Sequence, residues 1–488
     1  MKKLLVCLAM LPLFGCAGST PETARKSATR DIPITSKSPE AVDHFQKGRT
    51  LLENQRPAEA AAEFDQALRL DADFASARAL HGAASPGAEG VKELEQAAAQ
   101  ASSLPEPERV YIEALLAGRE GDVAKNTQTW TRLTELAPDD WHAHQGLGMA
   151  LYFQMKDADA AAAFQKATSL GAQAGSALNM LGYAYLRQGK ADEAIAAFKG
   201  YVSAMPNEPN PQDSLAEALM AGGKFTEAEA GFRKAAEISP QFWIAWEGVA
   251  YSKFFAGDWA GGREALVKSR EAAPRPADRM ASDEMSAWAS LAERKNPEAL
   301  KKLDAAEKSP DAKATDVATI NLDRAVVLLD TARYRDAVTA ISSAMNLADN
   351  GKLPPFATRN ARRLGLALRA VAEGKMVDAA AAQKTVAALE QESSTSPEDP
   401  VLRSSLHLAH GMLALAQSDA AGAKAHFAQC LSVDAYCRWQ EVVAAEKAGD
   451  RAGADATRAE LLRVYRRDLV YLYVRSRLAK PAAPRTTS

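Results

Sequence analysis

Two segments near the C-terminal end contain residue types that bind metal ions or form disulfide bonds. His407 and His410 share one predicted helix face, His426 and Cys430 are four residues apart on the next helix, and Cys437 follows. Imidazole and thiolate groups are the ligands that zinc prefers. However, the sequence has no C-x2-C pair, and no spacing fixes the geometry of a partner for His426. His407 and His410 also stand at positions that are leucine elsewhere in the chain. We therefore predict no metal site.

The sequence also lacks the motifs of common enzymatic sites. It contains no G-x-S-x-G, phosphate-binding loop, H-E-x-x-H or dinucleotide-binding fingerprint. Gly146-Leu147-Gly148 lies inside a predicted helix, and Gly222-Gly223-Lys224 lies in a turn with no strand before it. We therefore predict no catalytic activity and no cofactor. A formal net charge of −3 over 488 residues gives no basic surface for nucleic acid, so we predict no nucleic-acid partner.

The first residues have the pattern of an export signal. Lys2 and Lys3 precede an apolar stretch of about twelve residues, whereas a membrane-spanning helix needs about twenty. The stretch ends in Leu13-Phe14-Gly15-Cys16, which resembles the lipobox of bacterial lipoproteins. The resemblance implies cleavage before Cys16 and fatty acylation of that cysteine. An ordinary signal peptide cut after Gly18, leaving a soluble periplasmic protein, is the alternative.

The remaining cysteines fit an exported protein. Cys7 lies in the predicted signal and Cys16 would carry lipid, so Cys430 and Cys437 form an even pair. Disulfides form and persist in oxidising compartments outside the cytosol. We predict a disulfide between Cys430 and Cys437. Two free buried thiols are the alternative, because buried cysteines are common in helical cores.

Residues of fixed type recur along the chain at a 34-residue interval. The small residues of this series are Gly148, Gly182, Ala216 and Ala250. Sixteen positions after each of them stand large apolar residues, namely Phe164, Phe198, Phe232 and Leu266. A second small residue lies between, at Ala160, Ala194, Ala228 and Gly262. Such a repeat indicates one supersecondary unit copied many times, which buries its apolar face only by stacking on its neighbours.

The pattern of each unit resembles the tetratricopeptide repeat, a helix–turn–helix motif. The match is most complete at Gly182, Tyr185, Ala194, Phe198 and Pro206. The resemblance implies an all-α fold, a right-handed α-solenoid of about twelve stacked helix pairs. In such a unit, small residues let the two helices approach closely and aromatic residues fill the space between pairs.

The repeats also divide the chain. The predicted regions are a signal peptide at 1–15, a flexible tether at 16–38, an N-terminal repeat array at 39–310, further repeat-like helix pairs at 311–392, a polar loop at 393–400, C-terminal repeat-like helices at 401–479 and a tail at 480–488.

A second stripe of residues follows the first helix of each central repeat. In tetratricopeptide arrays this face lines a concave groove, so the resemblance implies a peptide-binding surface. The predicted groove residues are Gln145, Met149, Tyr152, Asn179, Tyr183, Asp213, Glu217, Glu247, Tyr251 and Phe254. Rings mixed with amide and carboxylate groups suit an extended peptide or a helix. Because Tyr183 and Tyr251 lie away from the packing positions, we expect their replacement by alanine to leave stability unchanged. A groove filled by its own side chains or by another part of this chain is the alternative.

These features predict a lipid-anchored scaffold of the cell envelope, attached to the outer membrane and facing the periplasm. Its expected partners are envelope proteins or their peptide segments, together with the membrane that holds the lipid. Assistance in polysaccharide export or retention, with groove rings stacking on sugars, is an alternative function.

Overall fold

A computed structural model of the protein describes residues 30–53, 56–85, 87–171 and 175–479. These residues are almost entirely α-helical, in keeping with their high content of alanine and of long unbranched side chains. The first eight helices are α1 Pro39–Glu53, α2 Pro57–Leu70, α3 Ala75–Ala84, α4 Gly87–Gln100, α5 Glu106–Glu120, α6 Val123–Leu136, α7 Trp141–Phe153 and α8 Asp157–Leu170. A 3-10 turn at Ala101–Ser103 follows α4.

The helices continue to the end of the described chain. The central helices are α9 Gly175–Arg187, α10 Ala191–Ala204, α11 Pro209–Ala221, α12 Phe225–Ile238, α13 Ile244–Phe255, α14 Trp259–Ala272, α15 Pro276–Ala292 and α16 Asn296–Glu307. The last are α17 Ala314–Asp330, α18 Tyr334–Asp349, α19 Pro355–Lys375, α20 Ala379–Ser394, α21 Pro400–Ala416, α22 Ala420–Phe427, α23 Ala435–Lys447, α24 Arg451–Arg463 and α25 Leu469–Leu478.

Short turns between the helices follow from the residues at the breaks. Gly189 and Gly223 adopt left-handed backbone conformations, with φ of 73° and 77°, between the two helices of their pairs. Glycine takes this conformation without a steric cost, which lets the second helix begin at once. Other second helices start at an aspartate cap: Asp378 and Asp450 accept hydrogen bonds from the backbone N–H groups of Ala381 and Gly453.

A glycine facing a phenylalanine brings the two helices of several pairs close together. Phe64 and Phe164 are fully buried in second helices. A Cβ atom added to Gly48 would lie 2.7 Å from the Phe64 ring, and one on Gly148 would lie 2.5 Å from the Phe164 ring. The same arrangement joins Gly182 to a ring in α10. The small and large residues of the 34-residue pattern are therefore the two halves of one contact.

Helices α1 to α24 form twelve consecutive pairs, and each pair packs on the next. This arrangement confirms the predicted all-α solenoid of helix pairs. The first helix of each pair, α1, α3 and so on to α23, lines one side of the stack, which we call the inner face.

Helix α25 does not extend the stack. After α24 the chain turns back toward the inner face, and α25 packs against α15, α23 and α24. Residues 401–479, predicted as repeat-like helices, therefore include one helix that lies outside the repeat stack. One signal was present: residues 469–474 are an uninterrupted apolar run, and a helix that is apolar on all sides is buried.

Candidate partner-binding groove

The stripe predicted from the sequence forms one connected surface on the inner face. Ser176 Oγ on α9 donates a hydrogen bond of 3.1 Å to Gln145 Oε1 on α7. Ser214 Oγ on α11 donates to Asn179 Oδ1 on α9 at 3.0 Å. Residues at equivalent positions of neighbouring repeats thus contact each other.

The chain's own C-terminal residues occupy this surface. We call residues 464–478, which include α25, the C-terminal segment. Its first five residues cross the inner face at α11 and α13, and α25 then runs along α15. Leu472 belongs to the same buried cluster as Tyr251 and Phe232. The sequence left open whether the groove binds a partner or is filled by the chain itself. In the structure another part of the chain fills this stretch of the groove.

Arg467 anchors the start of the C-terminal segment. Its Nη1 atom lies 2.8 Å from Asp213 Oδ2 and 4.0 Å from Glu217 Oε2. Its Nη2 atom donates a hydrogen bond of 3.0 Å to the carbonyl oxygen of Ile244. The guanidinium also lies 5.3 Å from the centre of the Phe232 ring. Both the arginine and the aspartate are almost completely buried, so neither charge is compensated by water.

The charges around Arg467 do not cancel. Burial raises the pKa of Asp213 and of Glu217, although the Arg467 charge lowers both. The pKa of Glu247 rises to about 7, because burial and the neighbouring carboxylates of Glu284 and Asp213 outweigh the attraction of Arg467. One guanidinium therefore faces three carboxyl groups, and Glu247 is partly protonated at neutral pH.

Aromatic rings hold the residues that precede Arg467. The Tyr465 ring packs edge-on against Phe225 at 4.8 Å and against Phe255 at 5.4 Å between ring centres. The guanidinium of Arg475 lies 4.1 Å from the centre of the Tyr465 ring, on the other side of the turn into α25. These contacts combine ring packing with cation–π attraction.

The far end of the segment is fixed by a second arginine. Arg477 makes two hydrogen bonds of 2.8 Å to the carboxylate of Asp330 and one of 2.9 Å to the carbonyl oxygen of Leu291. Tyr473 OH also donates to Asp330 Oδ1 at 2.8 Å. Bidentate pairs of this type are the strong class of charged hydrogen bond. The C-terminal segment is therefore clamped at both ends.

The expectation that Tyr183 and Tyr251 are free of packing is wrong. Tyr183 packs edge-on against Phe198 of its own repeat at 5.2 Å, and its hydroxyl donates to Glu217 Oε2 at 3.3 Å. Tyr251 is only 5% exposed because the C-terminal segment covers it. Replacing either ring by alanine is now expected to cost stability as well.

Phe254 lies in the interior of its helix pair, which corrects its placement in the groove. It is 3% exposed, and its ring packs at 5.0 Å against Trp259 and directly over Gly262. In this repeat the glycine stands on the second helix and the ring on the first, the reverse of Gly182 and Phe198. The sequence carried the signal, since Gly262 and Leu266 replace the usual alanine and phenylalanine.

The two remaining groove residues lie at the edge of the occupied surface. Met149 is partly buried against the cluster that contains Phe164. The Tyr152 ring is covered by the guanidinium of Arg187, whose carbon lies 3.2 Å from the ring centre. Arg187 also forms an ion pair with Asp157.

Two segments of the chain, residues 158–209 and 44–74, match family models described as tetratricopeptide repeat. The fold is a solenoid of tetratricopeptide repeats. Proteins with these repeats generally mediate protein–protein interactions through bound proteins or peptides, and the scaffold is typical of non-enzymatic proteins. None of the curated proteins is detectably similar in sequence to this chain.

Solved tetratricopeptide-repeat structures resemble parts of the chain. MamA from Desulfovibrio magneticus is 15% identical, with 35% of this chain and 97% of that chain covered and a TM-score of 0.32. YrrB, described as a TPR protein with an unusual peptide-binding site, is 17% identical over 39% and 98% of the chains, with a TM-score of 0.31. A repeat protein from Parabacteroides merdae is 13% identical over 60% and 100%, with a TM-score of 0.36.

Part of the repeat groove stays open beside the C-terminal segment. A cavity of about 380 Å³, which we call the groove opening, separates the repeats around α9 from α24 and the segment. Four tyrosines, Tyr152, Tyr183, Tyr465 and Tyr471, contribute to its wall, and Arg463 and Arg466 reach it from the other side. Neither of these two arginines forms an ion pair within the described part of the chain.

The cysteines and histidines considered as metal ligands, His407, His410, His426, Cys430 and Cys437, lie in the last repeats. A disulfide joins Cys430 and Cys437, whose Cα atoms are 6.3 Å apart. Among the described residues, the one group with ligand atoms close enough for a metal ion consists of these cysteines and Asp434, and the disulfide removes both thiolates. The rings of His410 and His426 stack at 4.9 Å between centres.

The predicted lipidation site, Cys16, lies outside the described residues. Among the helices that are described, none has both the length and the apolar character needed to cross a membrane.

Proposed function

We propose that this protein is a lipid-anchored scaffold of the bacterial cell envelope that binds a segment of another protein at the groove opening. The proposal includes no catalytic role. The observation that carries it is the composition of the opening, where four tyrosine rings line the wall and Arg463 and Arg466 have no ion-pair partner among the described residues. Tyrosine and arginine are enriched among the residues that dominate binding energy in protein interfaces.

The charge of the opening specifies the kind of partner. Arg463 is exposed, and Arg466 is partly exposed at the turn before Arg467. A partner segment with carboxylate side chains would pair with these two guanidinium groups, while its apolar or aromatic side chains would cover the tyrosine rings. We therefore propose an acidic segment with at least one aromatic residue.

The C-terminal segment supports this proposal as an internal example. It shows that the inner face receives an extended stretch followed by a helix, held by rings and charged hydrogen bonds. Its two buried arginine clamps and buried α25 side chains make it a permanent part of the structure, so a partner adds to it at the opening and does not displace it.

Site-specific photocrosslinking identifies the partner. A photoreactive residue at Val464, exposed in the opening, is compared with one at Val267, exposed on α14. In native membranes we expect a specific crosslinked protein from position 464 and not from 267. The affinity of that protein is then measured for Arg463→Glu and Arg466→Glu, with the exposed Arg335→Glu on α18 as the control.

Each reversal in the opening should weaken binding by about five- to a hundredfold, which corresponds to about 1–3 kcal/mol. The Arg335→Glu protein should bind like the wild type. Equal binding by all three variants would show that the opening is not the interaction surface.

The lipid anchor has its own test. Cys16→Ala should release the protein into the soluble fraction or leave an uncut precursor, because acylation needs the thiol. The wild type should fractionate with outer membranes. A processed Cys16→Ala protein that still sediments with membranes would contradict lipidation at this cysteine.

A further inference from the structure

A larger cavity, of about 710 Å³, opens on the inner face beyond the groove. Helices α15, α17, α19 and α21 supply most of its wall, and the C-terminal segment closes one side through Leu469 and Tyr473. The lining is mainly apolar and includes the rings of Trp288, Tyr436 and Tyr473. This volume and this lining are those of a site for a small organic molecule.

Two carboxyl groups face each other in the wall of this cavity. Asp323 on α17 is 8% exposed, and Glu284 lies beside it on α15. Asp323 Oδ2 and the indole N–H of Trp288, which is 6% exposed, lie close to each other, but neither makes a hydrogen bond of good geometry within the described residues. Buried polar atoms are rarely left unpaired, so these two point to a group that the cavity receives.

The other charged groups of the cavity are already engaged. Asp434 accepts hydrogen bonds from Ser404 Oγ and from the backbone of Cys437, and Asp468 caps α25. Arg363 donates to Ser405 Oγ at 3.1 Å. Four carboxyl groups and one guanidinium therefore line the cavity. Asp434 and Asp468 accept hydrogen bonds from the fold, whereas no described residue donates one to Asp323 Oδ2.

Burial raises the pKa of Glu284, and burial together with the Glu284 charge raises the pKa of Asp323 well above its usual range. Without a cation, the pair holds a proton between two like charges. A neighbouring cation would replace that proton. The inner face contains such a case, since Arg467 lies among Asp213, Glu217 and Glu247.

We propose that this cavity binds a small organic amine whose protonated amino group lies between Glu284 and Asp323. An ammonium group has three N–H donors, and the two carboxylates accept hydrogen bonds from them. Trp288 then donates its indole N–H to Asp323. The apolar body of the ligand lies against the rings of Trp288, Tyr436 and Tyr473, where burial of apolar surface adds to the ion pairs. The site is independent of the groove opening.

Titration calorimetry with three molecules of one shape tests the proposal on the full-length protein. The probes are 4-phenylbutylamine, 4-phenylbutanol and 4-phenylbutyrate, which are cationic, neutral and anionic. We expect the amine to bind with a Kd of about 1 mM or tighter. The alcohol and the carboxylate should bind at least about tenfold more weakly. Equal affinity for all three, or no binding of the amine, would overturn the proposal.

Variants locate the site. Asp323→Asn and Glu284→Gln should each weaken amine binding at least about tenfold, a difference of about 1.4 kcal/mol. Asp283→Asn, next to Glu284 and paired with Arg270 on the outside, should bind like the wild type. Thr319→Trp fills the cavity from its exposed rim and keeps both carboxyl groups, so it should abolish binding while thermal melting stays unchanged. Unchanged binding by Asp323→Asn and Thr319→Trp would place the amine elsewhere.

Discussion

Two regions of the inner face each bring carboxyl groups close together, and they differ in whether a cation of the chain compensates that negative charge. At α11 and α13, the buried carboxyl group of Asp213 and the partly buried ones of Glu217 and Glu247 surround Arg467 of the C-terminal segment. At α15 and α17, the partly buried Glu284 and the buried Asp323 lie beside a cavity, and no arginine of the described residues pairs with them. The first region is therefore closed by a cation from the chain itself, and the second stays open for one from outside.

The difference also indicates which carboxyl groups stabilise the fold and which are available to bind a ligand. A buried ion pair whose partners are both fixed by the fold contributes to holding the chain in place, whereas a carboxyl pair beside 710 Å³ of space has no partner to hold. Removing a charge should consequently destabilise the fold in the first region and affect ligand binding in the second.

The largest effect is expected from Arg467→Ala. This change leaves the carboxyl groups of Asp213 and Glu217 buried without their cation, at a cost of about 3–5 kcal/mol of unfolding free energy. Urea denaturation followed by circular dichroism measures the loss. Arg463→Ala, four residues earlier and exposed, is the control and should change stability by less than about 0.5 kcal/mol. Equal stability of both variants would contradict the role of Arg467 as an anchor.

The pH dependence of stability follows from Glu247. Between pH 4.5 and about 7 its carboxyl group is protonated in the folded protein and ionised in the unfolded chain, so the folded state binds more protons. Its contribution to the unfolding free energy therefore falls as pH rises through this window, by up to about 3 kcal/mol.

Glu247→Gln should remove this decrease, because glutamine does not titrate. Urea denaturation of wild type and variant at pH 5, 6, 7 and 8 measures the difference, and exposed Glu227→Gln on α12 serves as the control. A parallel pH dependence in the wild type and in Glu247→Gln would show that another group is responsible.

The loop closed by the disulfide borders both the groove opening and the larger cavity. Ser432, between the cysteines, accepts a hydrogen bond of 3.1 Å from Tyr471 OH of α25. Replacing Cys430 and Cys437 by serine should lower the unfolding free energy by about 2–3 kcal/mol, the effect of closing a short loop. Labelling of denatured, unreduced protein should detect neither thiol. Two labelled thiols in protein from the periplasm would disprove the bond.

A matched pair of substitutions gives the smallest but sharpest comparison. Asp213→Asn weakens the hydrogen bond to Arg467 and should cost about 1–3 kcal/mol. Asp323→Asn removes a carboxyl group that repels Glu284 and should change stability by less than about 1 kcal/mol. Thermal and urea denaturation at pH 7.5 test both. A larger loss for Asp323→Asn would mean that its carboxyl group serves the fold.

The repeat fold could be predicted because its contacts are local. Gly182 and Phe198 are sixteen residues apart, and the same pair recurs at a fixed interval, so each helix pair shows its packing residues in one short stretch of sequence. The stripe on the first helices follows from the same periodicity, and the bond from Ser214 to Asn179 shows that it forms one surface. The packing role of Phe254 was missed because its repeat exchanges the glycine and the ring between helices.

What occupies the inner face was decided only by the tertiary structure. Arg467 lies 254 residues from Asp213, and no repeat or spacing in the sequence relates them. The same holds for Glu284 and Asp323, which look like ordinary surface acids until stacking places α15 beside α17. The sequence by itself determined the unit, because each unit is stabilised by neighbours within about 34 residues. The return of the chain onto its own groove depends on apolar burial and charge pairing between residues of distant repeats. No local sequence pattern predicts these contacts.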